Sequence, residues 1–122
     1  MPRVVTGRFR GTILQAPEGD KTRPTTDKVK EALFSIIQSY VPDSEFLDLF
    51  AGSGQIGIEA LSRGAKRVTL VERSGQAASI IAKNISKIRM EGSDAAAYAW
   101  PFSNGHSCTA TLMRNCENCR FA

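Results

Sequence analysis

The chain has 122 residues, of which 42% are hydrophobic and 23% are charged. That length allows one domain at most, and the composition is that of an ordinary globular protein rather than a disordered or fibrous one. No apolar run reaches the roughly 18 residues that a membrane helix requires, and the N-terminal segment lacks the apolar core of a secretory signal. These features favour a cytoplasmic protein with no membrane partner.

Positive charge is concentrated at the N-terminal end of the chain. The formal net charge is +4, and residues 1–30 contain seven Lys or Arg against three acids, whereas the remaining 92 residues contain nine of each. A basic segment of this kind suits a polyanion, since contacts to phosphates supply affinity that depends on salt. The alternative interpretation is a solvated basic surface that binds nothing.

The first predicted elements are a hairpin and a helix. Two short β-prone runs, residues 4–6 and 12–14, are separated by a stretch that contains glycine and arginine, as in a β-hairpin. After a turn-rich polar segment, Thr25 or Thr26 can cap a helix in which Asp27 favours the positive end of the dipole. The helix ends before Pro42, and its apolar residues recur as one stripe: Val29, Leu33, Ile36, Ile37 and Tyr40.

Two strands and two helices are predicted next. A strand over 45–50 leads into a glycine-rich turn and a helix from Ile56 to about residue 63, with Gly64 as its C-terminal cap. A second strand spans 67–72, and Ser74 caps a third helix. This order of elements predicts an α/β fold, Rossmann-like, with an open parallel sheet and flanking helices. After residue 94 neither helical nor strand periodicity is visible.

The glycine-rich turn DLFAGSGQIG, residues 48–57, is typical of a ligand-binding loop between a strand and a helix. Gly52 and Gly54 allow positive φ and leave no Cβ between the backbone and a ligand, and Gly57 allows the helix to pack closely on the strand. The helix N-terminus adds unpaired N–H groups. Alone, this spacing fits the phosphate site of a dinucleotide equally well.

Two acids distinguish the candidate ligands. Asp48 would repel the pyrophosphate of NAD or FAD, but it can attract the α-ammonium group of a methionyl moiety. Glu72, 20 residues after Gly52, can accept hydrogen bonds from both hydroxyls of a ribose. A ligand with a nucleoside and an amino acid satisfies both acids, so the pattern favours S-adenosylmethionine. The alternatives are an NAD-binding oxidoreductase fragment, or Asp48 as a turn residue and Glu72 as a surface acid.

The segments FLDLFAGSGQIGIEALSRGAKRVTLVE (46–72) and TRPTTDKVKEALFSII (22–37) carry a more specific signal. Together they resemble the bacterial 16S rRNA guanine-N2 methyltransferase family, which has the class I S-adenosylmethionine-dependent fold. The resemblance covers roughly residues 3–94. It implies an enzyme of rRNA methylation that takes S-adenosylmethionine as cofactor and rRNA of the small ribosomal subunit as partner.

The resemblance also assigns residues to two sites. It implies that the cofactor is bound by Asp48, Phe50, Gly52, Ser53, Gly54 and Glu72, with Asp94 beside the adenine amino group. It implies that Arg8 and Arg10 of the hairpin meet rRNA phosphates. It further implies that Arg23, Thr25 and Thr26 lie at the mouth of the active site, near the methionine end of the cofactor or the RNA.

The chain departs from this family in its C-terminal part. Family members carry an Asp/Asn-Pro-Pro-Tyr/Phe motif that orients the target base, whereas the prolines of this chain stand at 2, 17, 24, 42 and 101. We therefore assign no catalytic residue and expect residues 1–94 to form the cofactor-binding half of a truncated member. A non-catalytic RNA-binding fragment is the alternative, and an exposed sheet edge would favour self-association.

Residues 95–122 are predicted to be a divergent tail without an assigned structure. It contains His106, Cys108, Cys116 and Cys119, which are four zinc ligands by type, but their spacing matches no established zinc finger. Translation of this tail out of frame is the interpretation that we favour over a zinc site. The odd number of cysteines argues against a disulfide framework.

Overall fold

The computed structural model describes residues 2–16, 26–49, 51–72, 75–90, 96–101 and 108–113. Its elements, in chain order, are α1 (Asp27–Ile37), β1 (Glu45–Asp48), α2 (Gln55–Ser62), β2 (Arg67–Glu72), α3 (Gly75–Met90), β3 (Ala96–Pro101) and β4 (Cys108–Met113). This order confirms the predicted α/β fold. Within these ranges, none of the helices has the length and apolarity needed to cross a membrane.

The centre of the fold is the parallel pair β1 and β2 with α2 packed on it. Glu45 is in register with Arg67, and Asp48 is in register with Leu70. A Cβ added to Gly57 of α2 would lie 2.2 Å from Leu70 Cδ2 and 2.8 Å from Val68 Cγ1. The backbone of α2 therefore approaches β2 more closely than any residue with a side chain allows, as the sequence predicts for Gly57.

The end of α2 follows the predicted cap. Gly64 has φ of 103°, and its N–H donates to the carbonyl of Leu61 at 3.1 Å while Ala65 N–H donates to that of Ala60 at 3.0 Å. These two bonds form a Schellman motif, in which a glycine in the left-handed region closes the helix. The motif turns the chain directly into β2.

The described core lies between β1, β2, the three helices and the N-terminal segment, defined here as residues 2–16. Helix α3 contributes Ile81, Ile85 and Ile88. Burying such side chains stabilises a fold by about 25 cal/mol for each Å² of apolar surface removed from water. The larger buried hydrophobic residues are Val4, Phe9, Leu14, Phe34, Val41, Ile58, Leu61, Val68, Leu70, Ile81, Ile85 and Ile88.

Helix α1 turns its predicted apolar stripe away from this core. Its buried residues are Lys30 and Phe34, whereas Ile36 and Tyr40 are each 77% exposed and Val29 and Leu33 are exposed as well. Of the predicted stripe, only Ile37 packs against the core. A helical period shows that apolar residues share one side of a helix, but it does not show which side the fold covers.

Strand β1 lies at the outer edge of the described sheet, whose order is β1-β2-β4-β3. Leu47 on this strand and Leu49 just after it are both more than half exposed. A free strand edge beside apolar side chains is a surface on which another chain can pair. Self-association through this edge stays a prediction.

The N-terminal hairpin is shorter than predicted. Its pairing is an isolated antiparallel bridge between Arg3 and Ile13. Three backbone bonds support it: Val4 N–H donates to Thr12 O at 3.0 Å, Gly11 N–H to Val4 O at 2.9 Å, and Leu14 N–H to Pro2 O at 2.8 Å. Gly7 and Gly11 both take positive φ in the intervening turn.

The tail contains regular structure that its sequence does not indicate. β4 pairs antiparallel with β2 over Arg67–Glu72, and β3 pairs antiparallel with β4. Ladder bonds join backbone groups and need no aliphatic periodicity, which is why strands with few aliphatic residues escape a pattern search. The parallel part of the described sheet is therefore the β1–β2 pair.

Lys30 of α1 is fully buried inside a group of charged residues. Its Nζ donates a hydrogen bond to the carbonyl of Arg3 and lies 3.8 Å from Asp27 Oδ1. Burial lowers the pKa of Lys30 from its ordinary value, while Glu59 and Asp27 act in the opposite direction and Arg3 and Arg63 reinforce the lowering. The interaction ties α1 to the N-terminal segment.

Lys30→Met should flatten the pH dependence of stability on the alkaline side of neutrality. Because burial lowers the pKa of folded Lys30 below 10.5, the unfolded chain binds more protons as pH approaches that value. Stability of the wild-type chain therefore rises with pH across this window relative to Lys30→Met, as urea unfolding at several pH values would measure. Lys28→Met, which removes an exposed lysine of the same helix, is the matched control. Parallel curves for all three proteins would contradict the prediction.

Candidate functional site

The glycine loop, residues 51–54, lies across the carboxyl end of β2. Ala51 N–H donates to Val71 O at 3.0 Å, and Gly54 N–H donates back to Ala51 O at 2.8 Å. Gly52 has φ of 57° and Gly54 has φ of 82°, so both occupy the left-handed region in which a Cβ is strained. Gly54 is also the N-cap of α2.

The two glycines of this loop serve different purposes. A Cβ added to Gly52 would meet no atom within 4 Å, so the space beside its backbone is open. A Cβ added to Gly54 would instead lie 3.2 Å from Leu70 Cδ1 and 3.4 Å from Ile81 Cγ1. The predicted close approach of a ligand therefore fits Gly52, whereas at Gly54 the missing Cβ makes room for the core.

Asp48 and Glu72 end adjacent parallel strands beside the glycine loop, as the sequence predicts. Glu72 Oε2 accepts a hydrogen bond from Gly52 N–H at 2.7 Å, a contact that the sequence pattern does not reveal. This bond orients the carboxylate toward the loop. The carboxylate of Glu72 is thereby part of the loop's own hydrogen bonding.

Asn84 of α3 links the loop to the N-terminal segment and is absent from the sequence-derived site. Its Nδ2 donates to Ser53 O at 2.9 Å and to Gln15 O at 3.0 Å. Its Oδ1 accepts from Gln15 N–H at 2.7 Å. The side chain is fully buried, and a lone asparagine on a helix gives no motif by which sequence alone could find it.

The arginine turn, residues 6–11, lies at the other end of α2. Arg8 and Arg10 are exposed there, and the Arg8 guanidinium stands 5.6 Å from the centre of the Phe9 ring. Arg8 N–H donates to Ser62 O at 2.9 Å. Because α2 rises about 1.5 Å per residue, its eight residues place the turn about 10 Å from the glycine loop.

The remaining predicted site residues are distributed as follows. Thr26 caps α1 and its Oγ1 accepts a hydrogen bond from Val29 N–H at 3.3 Å, so its hydroxyl has a structural role. Phe50, Asp94, Arg23 and Thr25 lie outside the described residues, as do His106, Cys116 and Cys119. In the described ranges, no group of three or more His, Cys, Asp or Glu residues is arranged to hold a metal ion.

The arrangement places a glycine loop and two carboxylates at the carboxyl ends of the parallel strands of a Rossmann-like core. Ligands of open α/β sheets bind at this edge. An open glycine and two carboxylates suit hydroxyl and ammonium groups better than a pyrophosphate. The class of protein is therefore a Rossmann-like α/β domain with an exposed basic turn one helix length from its glycine loop.

Comparison with known proteins makes this class specific. Residues 2–107 match the family described as conserved hypothetical protein 95, and the chain belongs to that family. The ribosomal RNA small subunit methyltransferase D of Haemophilus influenzae is 42% identical over 93 residues, which cover 76% of this chain and 48% of that protein. YlbH of Bacillus subtilis, a candidate rRNA methyltransferase, is 46% identical over 72% of this chain and 48% of its own length.

A solved structure supports the same assignment. The candidate methyltransferase yhhF from Escherichia coli superposes with a TM-score of 0.64 at 40% identity, covering 72% of this chain and 48% of that one. The fold is thus that of an incomplete Rossmann-like methyltransferase core. The chain spans about half the length of the curated relatives it matches.

Asn84→Ala should destabilise the fold by about 1–3 kcal/mol, because it leaves buried groups of Ser53 and Gln15 without their partner. Ser86→Ala on the same helix removes an exposed bond to Ala82 O and should cost less than about 0.5 kcal/mol. Chemical denaturation of both variants measures the difference. Equal costs would show that the Asn84 amide does not stabilise the loop.

Proposed function

We propose that this chain is the cofactor- and RNA-binding half of an rRNA methyltransferase. The observation that carries the proposal is the edge where Asp48 and Glu72 meet the glycine loop, in a chain whose named relatives are rRNA methyltransferases. The proposed substrate is the N2 amine of a guanine in small-subunit rRNA, which would place the protein with the ribosome in the cytoplasm. These finer assignments rest on the motifs that the sequence shares with that family.

The proposed cofactor is S-adenosylmethionine, and the residues present fit it. Glu72 is oriented toward the loop by Gly52 N–H, where it can accept hydrogen bonds from ribose hydroxyls. Gly52 leaves the loop backbone open to close approach, and Asp48 supplies negative charge for the ammonium group. The cofactor would supply an electrophilic methyl group, which passes to the amine nitrogen as S-adenosylhomocysteine leaves and the amine loses a proton.

Calorimetric titration should show binding of S-adenosylhomocysteine and no binding of NAD. Glu72→Gln keeps an oxygen that can accept from Gly52 N–H but loses the charge, and Glu72→Ala loses both. We expect weaker cofactor binding in both variants and a lower stability in Glu72→Ala, by about 1 kcal/mol for the lost hydrogen bond. Asp48→Asn should also weaken binding. A chain that binds NAD alone is an oxidoreductase fragment, and the proposal would be wrong.

The RNA side of the proposal rests on charge and exposure. Arg8 and Arg10 are exposed on the arginine turn, at the end of the chain that carries the excess positive charge. Phosphate contacts made by such residues give an affinity that falls as salt rises. The exposed arginine turn needs no cofactor in order to contact phosphates, which favours RNA binding without methyl transfer as the second candidate function.

Arg8→Ala and Arg10→Ala should each weaken binding to an in vitro transcript of bacterial 16S rRNA. Each lost phosphate contact should make the slope of log affinity against log salt shallower by about 0.7–0.9. Filter binding at several salt concentrations measures the slope, and Lys83→Ala, an exposed charge on α3, is the control. A methyl-transfer assay on the same transcript separates the two candidate functions. Unchanged slopes in both arginine variants would refute RNA binding by the turn.

A further inference from the structure

Four backbone N–H groups of the N-terminal segment donate to the second half of α2. Val5 N–H bonds Glu59 Oε2 at 2.9 Å and Thr6 N–H bonds Glu59 Oε1 at 3.1 Å. Phe9 N–H donates to Ser62 Oγ at 2.9 Å, and Arg8 N–H donates to Ser62 O. The Ser62 hydroxyl in turn donates to Thr6 O at 2.7 Å. The arginine turn is thereby fixed to α2 by backbone groups on both sides of Gly7.

Glu59 is a fully buried carboxylate, and its charge is balanced locally. Arg63 donates to Glu59 Oε1 through Nε at 3.2 Å and through Nη2 at 3.1 Å. Lys30 lies close enough for its pKa to be affected by the Glu59 charge. A buried anion with two N–H donors and a guanidinium has a defined geometry, because any displacement leaves a charge or a donor without its partner.

The turn also approaches α2 too closely to move without cost. Gly7 has φ of +94°, and a Cβ there would lie 2.1 Å from the backbone oxygen of Ser62. Gly11 has a similar φ of +89°, yet a Cβ there would meet nothing within 4 Å. The contact between Gly7 and α2, rather than the turn conformation itself, is the constraint.

We propose that Glu59 is a positioning residue for RNA binding, acting through Arg8. The same helix begins at the glycine loop. Glu59 and Ser62 therefore fix the position of the arginine turn relative to the glycine loop, about 10 Å away. RNA bound by the turn would then lie in one fixed position relative to the glycine loop. This inference rests on the proposed function, because it assumes that the turn binds RNA.

The test is a double-mutant cycle on the full chain with Glu59→Gln and Arg8→Ala. The probes are the 16S rRNA transcript and S-adenosylhomocysteine. Glu59→Gln removes the charge and replaces one carboxylate oxygen by an NH2 group, which cannot accept from the Val5 or Thr6 N–H that it faces, so we expect RNA affinity to fall about tenfold. The salt slope should become shallower by about one phosphate contact. Affinity for S-adenosylhomocysteine should stay within about twofold. In the Arg8→Ala background, Glu59→Gln should cost less RNA affinity, because only the contact made by Arg10 then depends on the place of the turn.

Three results would overturn the inference. An unchanged RNA affinity in Glu59→Gln would do so, as would an equal loss in both backgrounds, since the effect would then not pass through Arg8. A parallel loss of RNA and S-adenosylhomocysteine binding would show a merely structural role. If Arg8→Ala alone leaves RNA affinity unchanged, the proposed RNA binding by Arg8 is wrong, and this inference, which depends on it, is wrong as well.

A second pair of variants serves if Glu59→Gln does not fold. Gly7→Ala forces the turn away from Ser62 without altering any charge, and Gly11→Ala carries a similar backbone strain without the contact. We expect Gly7→Ala to lose RNA affinity and salt slope as Glu59→Gln does, and Gly11→Ala to retain both. Equal RNA affinity in these two variants would overturn the inference.

Discussion

The close approach of α2 to β2 at Gly57 is the constraint on which the rest of the structure depends. Leu70 Cδ2 lies only 2.2 Å from where a Cβ would stand, so the backbone of α2 at Gly57 packs directly on side chains of β2. The N-terminus of α2 then fixes the glycine loop over the carboxyl ends of the strands. Its second half, by the same geometry, fixes the surface that receives the arginine turn. One helix therefore determines the positions of both candidate sites.

Buried polar groups complete what this packing begins. The N-terminal segment has only an isolated β-bridge of its own, so few of its backbone bonds come from sheet pairing. Further hydrogen bonds to the backbone of this segment come from three fully buried side chains, one on each helix: Glu59, Asn84 and Lys30. A buried charge or amide is tolerated only when it is well paired. These three residues consequently define one arrangement of the segment, from the arginine turn at one end of α2 to Gln15 beside the glycine loop.

The sequence was most informative where a chemical requirement falls on a fixed spacing. Gly52, Asp48 and Glu72 could be found because a strand, a tight turn and a helix dictate where such residues must stand. Glu59 and Asn84 could not, since the backbone groups of the N-terminal segment that they bind are about 54 and 69 residues away and leave no pattern along the chain. The direction of the α1 stripe was hidden for a related reason. Periodicity reports which residues share a side, whereas burial depends on distant parts of the fold.

The edge that carries the glycine loop is assembled almost entirely from contacts among residues 51–54, β2 and α3. Three hydrogen bonds fix the backbone of the loop. They join Gly52 to the Glu72 side chain, Ala51 to the Val71 carbonyl, and Ser53 to the Asn84 side chain. By contrast, the surface formed by the α1 stripe and the edge of β1 exposes apolar side chains in the described structure, and the chain spans about half the length of its relatives. The glycine loop needs no group from that surface in order to form. The contacts that shape the glycine loop are therefore independent of the exposed apolar surface on α1 and β1.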